Sequence, residues 1–440
     1  MTRPPVAPMR SRRVPATAEP NAWSRLLEGR RASGATLLDL TESNPTRVGL
    51  AGGGLAAPVD PGAATYAPDP RGLAAARAAV AGYYADRGLR VEPEHIVLTS
   101  STSESYAHLF RLLADPGETL LVPEPSYPLF GPLAALEGVR LAPYRLTWRH
   151  GWRLDLDSLE AAADEGARAI ITVEPNHPTG SCLAPTERAA VEELCERRGM
   201  AIVSDEVFGD FAWPAVAAER VPEASEAARP TGSDATTRAR AARQVPSPPV
   251  APDAGRAPAS PRPIAPLPSF VAPSRVPSFV LSGISKVCGL PQLKLSWIVA
   301  AGPARPRDEA LAGLEWIADL FLSVGTPVQL ALPRLLADRH VFQARVCERL
   351  ATNLARLRAA TAAADGPAWL EGQGGWNAVL RLPAGRGGEA VALELLQRDV
   401  VVHPGHFYDF EDDDVLVVSL LVEPRDFAAG LERIAQLASS

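Results

Sequence analysis

A lysine wedged among small residues just after an apolar run is where this 440-residue chain can first do chemistry: Leu281-Ser282-Gly283-Ile284-Ser285-Lys286-Val287-Cys288-Gly289-Leu290-Pro291. Desolvation in such a place lowers the pKa of Lys286 and makes its neutral amine accessible. An amine in that state condenses with an aldehyde. Taken alone, a lysine in a Ser/Gly loop is ordinarily an exposed surface charge. Three further segments change the weighing. Ser204-Asp205-Glu206-Val207-Phe208 places Asp205 at the C-terminal end of an apolar run, where open α/β sheets bind ligands. A carboxylate there can keep a pyridine nitrogen protonated and the ring an electron sink. Glu174-Pro175-Asn176-His177-Pro178-Thr179-Gly180 forms a rigid turn that presents an amide side chain. Thr99-Ser100-Ser101-Thr102-Ser103-Glu104 passes from strand to helix with hydroxyls and unpaired N–H groups, a cradle suited to phosphate. A plain helix N-cap with Glu104 in the first turn fits those residues equally.

The elements that must position these groups follow from periodicity. Ile96–Thr99, Thr119–Val122, Ala169–Val173, Ala201–Ser204, Phe279–Leu281 and Trp297–Ala300 are short apolar runs bounded by Gly, Pro, Ser, Asp or Asn. Strands covered on both faces read this way. Helical spacing runs between them, as from Pro185 to Arg198, and the alternation predicts an α/β layer around a mostly parallel sheet. Thirteen prolines between Val221 and Val280 exclude both helix and central strand there. The expectation is a disordered surface insertion over 214–274. Beyond Pro303 the composition is rich in Ala, Leu and Arg. One long helix is expected over Pro327–Ala360, then a smaller α+β unit with strands over Trp376–Leu382 and Val415–Leu421.

Charge narrows the partners. Lys and Arg total 44 against 51 Asp and Glu, a net charge of −7, which gives no reason to expect nucleic acid or an anionic membrane. No apolar run is long enough to span a bilayer. The first 20 residues carry Arg3, Arg10, Arg12 and Arg13 among prolines without an apolar stretch, so they read as a disordered basic tail and not as a secretory signal. Cys182, Cys195, Cys288 and Cys347 lie far apart without a CxxC pair, which fits a reduced, cytoplasmic setting. His403 and His406 lack further ligands of matching type, and no metal site is expected.

Taken in order and spacing, the four segments resemble fold type I pyridoxal-phosphate enzymes, specifically class I/II aminotransferases, from about Asp39 to the C-terminus with the proline-rich stretch excluded. The resemblance implies a three-layer, mostly parallel large domain over 55–305 and a smaller α+β domain over 306–440. A segment over 21–54 would pack on the small domain behind the tail of residues 1–20. It makes Lys286 the internal aldimine lysine and proton shuttle, Asp205 the partner of the pyridine nitrogen, and Asn176 the amide bonded to the cofactor's phenolic oxygen. Tyr127 matches the aromatic stacked on the ring, Thr102 and Ser103 the phosphate turn, and Ser285 the serine before the lysine. Tyr66 matches a tyrosine reaching the neighbouring subunit's phosphate, which implies a homodimer with shared sites. Asn44, in Glu42-Ser43-Asn44-Pro45-Thr46, belongs to a segment closing over substrate. By the same resemblance, Gly374-Gly375-Trp376 and His403-Pro404-Gly405-His406-Phe407 would line the small-domain side of the pocket.

Several positions depart from that pattern. Phe208 stands where a tyrosine usually bonds the phenolic oxygen, and Lys294 where a phosphate-binding arginine is frequent; a lysine keeps the charge but loses the bidentate fork. Gly283 replaces a serine or threonine, and His177 an asparagine. Val417 occupies the place of the arginine that clamps an α-amino acid's carboxylate, with Arg381 and Arg425 nearby in sequence. The implied activity is transfer of an amino group between an amino acid or related amine and a keto acid. The alternatives are a C–S lyase or decarboxylase using the same cofactor, and a non-catalytic binding protein of the same fold.

Overall fold

The computed structural model describes residues 20–50, 68–164, 166–213, 267–322, 324–363 and 366–438. In chain order its strands are β1 (Leu38–Asp39), β2 (Ile96–Thr99), β3 (Thr119–Glu124), β4 (Arg140–Trp148), β5 (Trp152–Leu154), β6 (Ala167–Val173) and β7 (Ala201–Asp205). They continue as β8 (Ser278–Gly283), β9 (Ser296–Ala301), β10 (Ala368–Leu370), β11 (Asn377–Arg381), β12 (Val400–Val401), β13 (His403–Pro404) and β14 (Val415–Ser419).

Eight strands form the main sheet in the order β2-β9-β8-β7-β6-β3-β4-β5. Its centre, β8 to β4, is parallel, while β9 runs antiparallel to both β8 and β2, and β5 antiparallel to β4. Strand alternation sends successive side chains to opposite faces. Ile170, Ile202 and Val280 therefore join one core with Val80, Val191, Leu332 and Leu336 of the helices Ala74–Asp86, Pro185–Arg198 and Thr326–Ala337. Ile171, Val203 and Leu281 join another with Leu109 and Leu314 of the helices Thr102–Leu113 and Ala304–Phe321. Helices on both faces make the three-layer α/β fold.

A second, antiparallel sheet has the order β10-β11-β14-β13. The helices Arg339–Ala360 and Pro424–Ala438 share a core with it through Leu350, Leu354, Phe427 and Leu416. The start of the described chain is tied to this unit. β1 pairs with β12, Trp23 Nε1 donates to Val402 O at 3.2 Å, and Arg30 forms an ion pair with Asp399.

Two expectations need correction. The helix over Pro327–Ala360 is two helices, Thr326–Ala337 and Arg339–Ala360, with the break at Asp338. They serve different cores: Leu332, Leu335 and Leu336 pack with the main sheet, and Phe342, Val346 and Leu350 with the second unit. One straight rod cannot face both. The expectation of disorder over 214–274 also fails at its C-terminal end. Residues 214–266 lie outside the described residues, but Leu267, Ser269, Phe270 and Val271 are buried. Phe270 N donates to Glu206 at 2.8 Å, and the Arg188 guanidinium lies over the Phe270 ring at 3.7 Å. Phe270 and Val271 thus join the main-sheet core, with the Phe270 N–H satisfied by the buried Glu206 carboxylate.

Candidate active site

Sheet topology brings the chemistry-bearing segments to one edge. β2, β3, β6, β7 and β8 all point the same way, so the turns after them emerge together. These turns carry Thr102 and Ser103, Tyr127, Asn176, Asp205 and Lys286 respectively. β9 is antiparallel and begins at that edge, which places Lys294, just before it, beside the others. The edge is the C-terminal crevice where open sheets bind ligands.

Asp205 closes β7 and is buried. Tyr106, one turn into the helix Thr102–Leu113, donates its hydroxyl to Asp205 Oδ2 at 3.0 Å, and Val207 N donates to Oδ1 at 3.0 Å. Burial pushes the carboxyl up to about 6, against the lowering effect of those two bonds and of Lys286. Lys286 lies in the single turn Ile284–Val287 after β8. Burial moves its pKa below the ordinary lysine value, Asp205 pulls it back, and Lys294 pushes it down further. The amine thus carries the perturbation expected of a reactive base. Its Nζ sits 5.3 Å from the Trp376 ring centre and 5.8 Å from that of Phe208.

Asn176 is buried in the turn after β6. Its Oδ1 accepts from Thr179 Oγ1 at 2.9 Å, whereas its Nδ2 has no partner among the described residues. A buried amide N–H left unmade is costly and marks a place for a ligand acceptor. Ser101 caps the helix Thr102–Leu113, accepting from Glu104 N at 3.1 Å, while Glu104 accepts from Ser100 N at 2.5 Å. Cap and cradle therefore coexist: the N–H groups of Thr102 and Ser103 stand in the first turn, where the helix supplies no carbonyl. Lys294 is exposed, in the left-handed region at φ 54°, and makes no ion pair among the described residues. Ser285 is half-buried beside Lys286. A side chain at Gly283 would run into Ser296 Oγ, which explains the missing hydroxyl there.

Rings form the remaining walls. His177 stacks on Phe208 at 6.0 Å and meets the edges of Tyr127 at 5.5 Å and Tyr408 at 5.4 Å. Phe208 meets Trp376 at 5.3 Å. Other positions fall elsewhere. Tyr66 lies outside the described residues. The Asn44 amide oxygen accepts from Thr46 N and Oγ1 at 3.0 and 2.7 Å, closing a local turn. Arg425 is exposed on the helix Pro424–Ala438, and Arg381 pairs with Asp412 at 3.0 Å at the far end of β11.

Tyr106, Tyr408 and the neutrality of the site histidines do not announce themselves in the sequence. One signal does, and it is compositional. Lys286 and Lys294 are the only lysines of the chain; every other one of its 44 basic residues is arginine. Both fall at this site.

These groups fit a pyridine aldehyde bearing a phosphate. Asp205 suits a ring nitrogen, the unpartnered Asn176 Nδ2 a ring oxygen, and the Thr102 and Ser103 N–H groups with Lys294 an anion.

The model of the family "Aminotransferase class I and II" matches residues 56–416. Nicotianamine aminotransferase 1 of Oryza sativa subsp. japonica is 33% identical over 141 residues, 32% of this chain and 28% of that protein. An S-alkyl-thiohydroximate lyase of Arabidopsis thaliana is 26% identical over 299 residues, 63% of this chain and 53% of that protein. The chain thus spans between about a quarter and about half of the length of these curated relatives. The solved alanine aminotransferase from Pyrococcus furiosus superposes with a TM-score of 0.72 at 17% identity, covering 94% of this chain and 95% of that one, which shows a shared fold.

Proposed function

The chain belongs to the class I and II aminotransferase family, and on that premise we propose that it is a pyridoxal-phosphate-dependent transaminase moving an amino group between an amine-bearing donor and a keto acid or related carbonyl acceptor. The observation that carries this is the convergence of Lys286, Asp205 and the unpartnered Asn176 amide at one sheet edge. Pyridoxal phosphate, when bound, supplies an electrophilic aldehyde and a ring that withdraws electrons from the carbon bearing the amine.

The chain's own residues do the rest. Thr102, Ser103 and Lys294 would hold the phosphate, Asn176 the ring oxygen and Asp205 the protonated ring nitrogen, with Tyr127 as the outer aromatic wall. Tyr106 and Val207 fix the Asp205 carboxylate so that both its oxygens face defined donors. Lys286, with its pKa lowered by burial, would take the proton from the donor's amine-bearing carbon and return it on the acceptor side. Phe208, Trp376 and His177 exclude water around it. The test is a donor–acceptor screen scored for keto product. Conversion that requires the acceptor supports transamination.

A lyase is the second reading, supported by the similarity to an S-alkyl-thiohydroximate lyase over 63% of this chain. Ammonia and a keto acid released without an acceptor would favour it. We also infer a cytoplasmic homodimer. Trp316, Leu320, Phe321 and Leu322 are exposed together at the end of the helix Ala304–Phe321, an apolar cluster suited to burial against a second copy. Mass measured in solution by light scattering decides this; a monomer at micromolar concentration would contradict it.

A further inference from the structure

Among the described residues, the stretch of the second sheet around His403 and Val417 is built from neutral side chains. On the second sheet, His403 of β13 lies directly across from Val417 of β14, so the two share a face. Val417 is buried there with Val379, Leu370, Trp152 and Tyr408. Tyr408 and His403 bond to each other, Oη to Nδ1 at 2.8 Å, and the Tyr408 ring meets His177, which in turn stacks on Phe208 beside Lys286. This continuous wall joins the small-sheet face to the amine.

Among the described residues, the cations beside this wall, Arg145 and Arg381 in the cleft next to Trp152, Leu370 and Val415, already hold carboxylate partners. Burial, with the nearby charge of Lys286, pulls His177 down to about 3, and burial pulls His403 to about 4, so both rings are neutral at physiological pH. Burial also keeps the Tyr408 hydroxyl protonated. Arg381 is paired with Asp412 at 3.0 Å and Arg145 with Glu411 at 2.9 Å. A carboxylate brought into such a wall loses its hydration without gaining an ion pair. The rings of Tyr127, His177, Phe208, Trp376 and Tyr408 pack on one another largely edge to face, and a flat apolar ring would extend that cluster from its exposed end at Tyr127.

We propose that this pocket selects aryl-bearing primary amines and their carbonyl counterparts, that an α-carboxylate is dispensable for recognition, and that His177, His403 and Tyr408 are the specificity-determining residues. The proposal rests on the transaminase reading, and its test separates the two. The cofactor-loaded protein is titrated calorimetrically with 3-phenylpropan-1-ol, 3-phenylpropanoate and succinate, none of which can react. The alcohol should bind at least as tightly as the arylalkanoate, and succinate at least about thirtyfold more weakly than the alcohol. An arylalkanoate preferred by more than about tenfold, or succinate bound as well as either, overturns the proposal.

Tyr408→Ala should weaken both aryl ligands about tenfold while leaving the visible absorbance of bound cofactor unchanged. If that variant does not fold, His403→Ala, which removes the partner of the Tyr408 hydroxyl, serves with the same expectation. Aryl binding unaltered in a folded variant removes these residues from the determinant. Turnover is then compared for phenylalanine and 2-phenylethylamine: kcat/KM values within about tenfold support the proposal, and a loss above about a hundredfold for the amine overturns it. If neither donor is converted while the binding pattern holds, the transaminase reading fails and the pocket assignment stands.

Discussion

The two sheets meet the site in opposite ways. The edge of the main sheet carries ionisable groups at an electrostatic cost: Asp205 is pushed up to about 6, and Lys286 is pulled below its ordinary value. The facing wall of the second sheet is neutral, with the His403 imidazole at about 4 across from the buried Val417, and it meets the main sheet through His177, itself neutral at about 3. Charge is concentrated where a cofactor's ring and phosphate would lie and withheld where the rest of the substrate would lie. Reaction type and substrate choice would then reside in separate elements, so that either could change without the other.

Substitutions on the two sides should differ in kind, and the largest effect belongs to the charged edge. Lys286→Ala is expected to lower turnover by at least about four orders of magnitude, and Lys286→Arg equally, since a guanidinium offers no neutral amine. Single-turnover conversion of donor is the measurement. Substantial activity in either would place the base elsewhere.

Asp205→Asn should follow, at about a hundred- to a thousandfold in kcat. It should also stabilise the cofactor-free protein. The folded pKa of Asp205 is raised to about 6, so its protonated form favours folding below the unfolded value of about 3.9, and that contribution is lost as pH rises through about 6. At pH 8 the variant should be more stable by on the order of 1–3 kcal/mol, with no gain near pH 3. Thermal melts at the two pH values check the sign.

Asn176→Ala removes a single donor and should cost about tenfold in kcat/KM. Phe208→Tyr, the smallest change, should alter kcat/KM by less than about threefold while moving the pH midpoint of the bound cofactor's visible absorbance. If the order of Asp205 and Asn176 were reversed, charge would not be what distinguishes the two sides.

Much of the charged edge was legible because its residues are local. A strand, a turn and a reactive side chain lie within a dozen residues, as in Leu281 to Pro291, and parallel topology brings such turns together without further information. The strand runs and the helix Pro185–Arg198 were read from periodicity for the same reason. The neutral wall was not legible. His403 and Val417 become neighbours only through antiparallel register, and Tyr106 reaches Asp205 across 99 positions of sequence. The break at Asp338 depends on two cores that no local pattern separates. Buried Phe270 was hidden by its prolines, since composition reports the average of a segment and docking depends on one side chain.

The scarcity of lysine makes the central assignment unusually direct to test. The protein, loaded with pyridoxal phosphate, is reduced with borohydride, digested and analysed by mass spectrometry. With two lysines in the chain, the pyridoxyl mass is expected on the peptide containing Lys286 and not on that containing Lys294. A label on Lys294 in place of Lys286, or no label on either, would contradict the assignment.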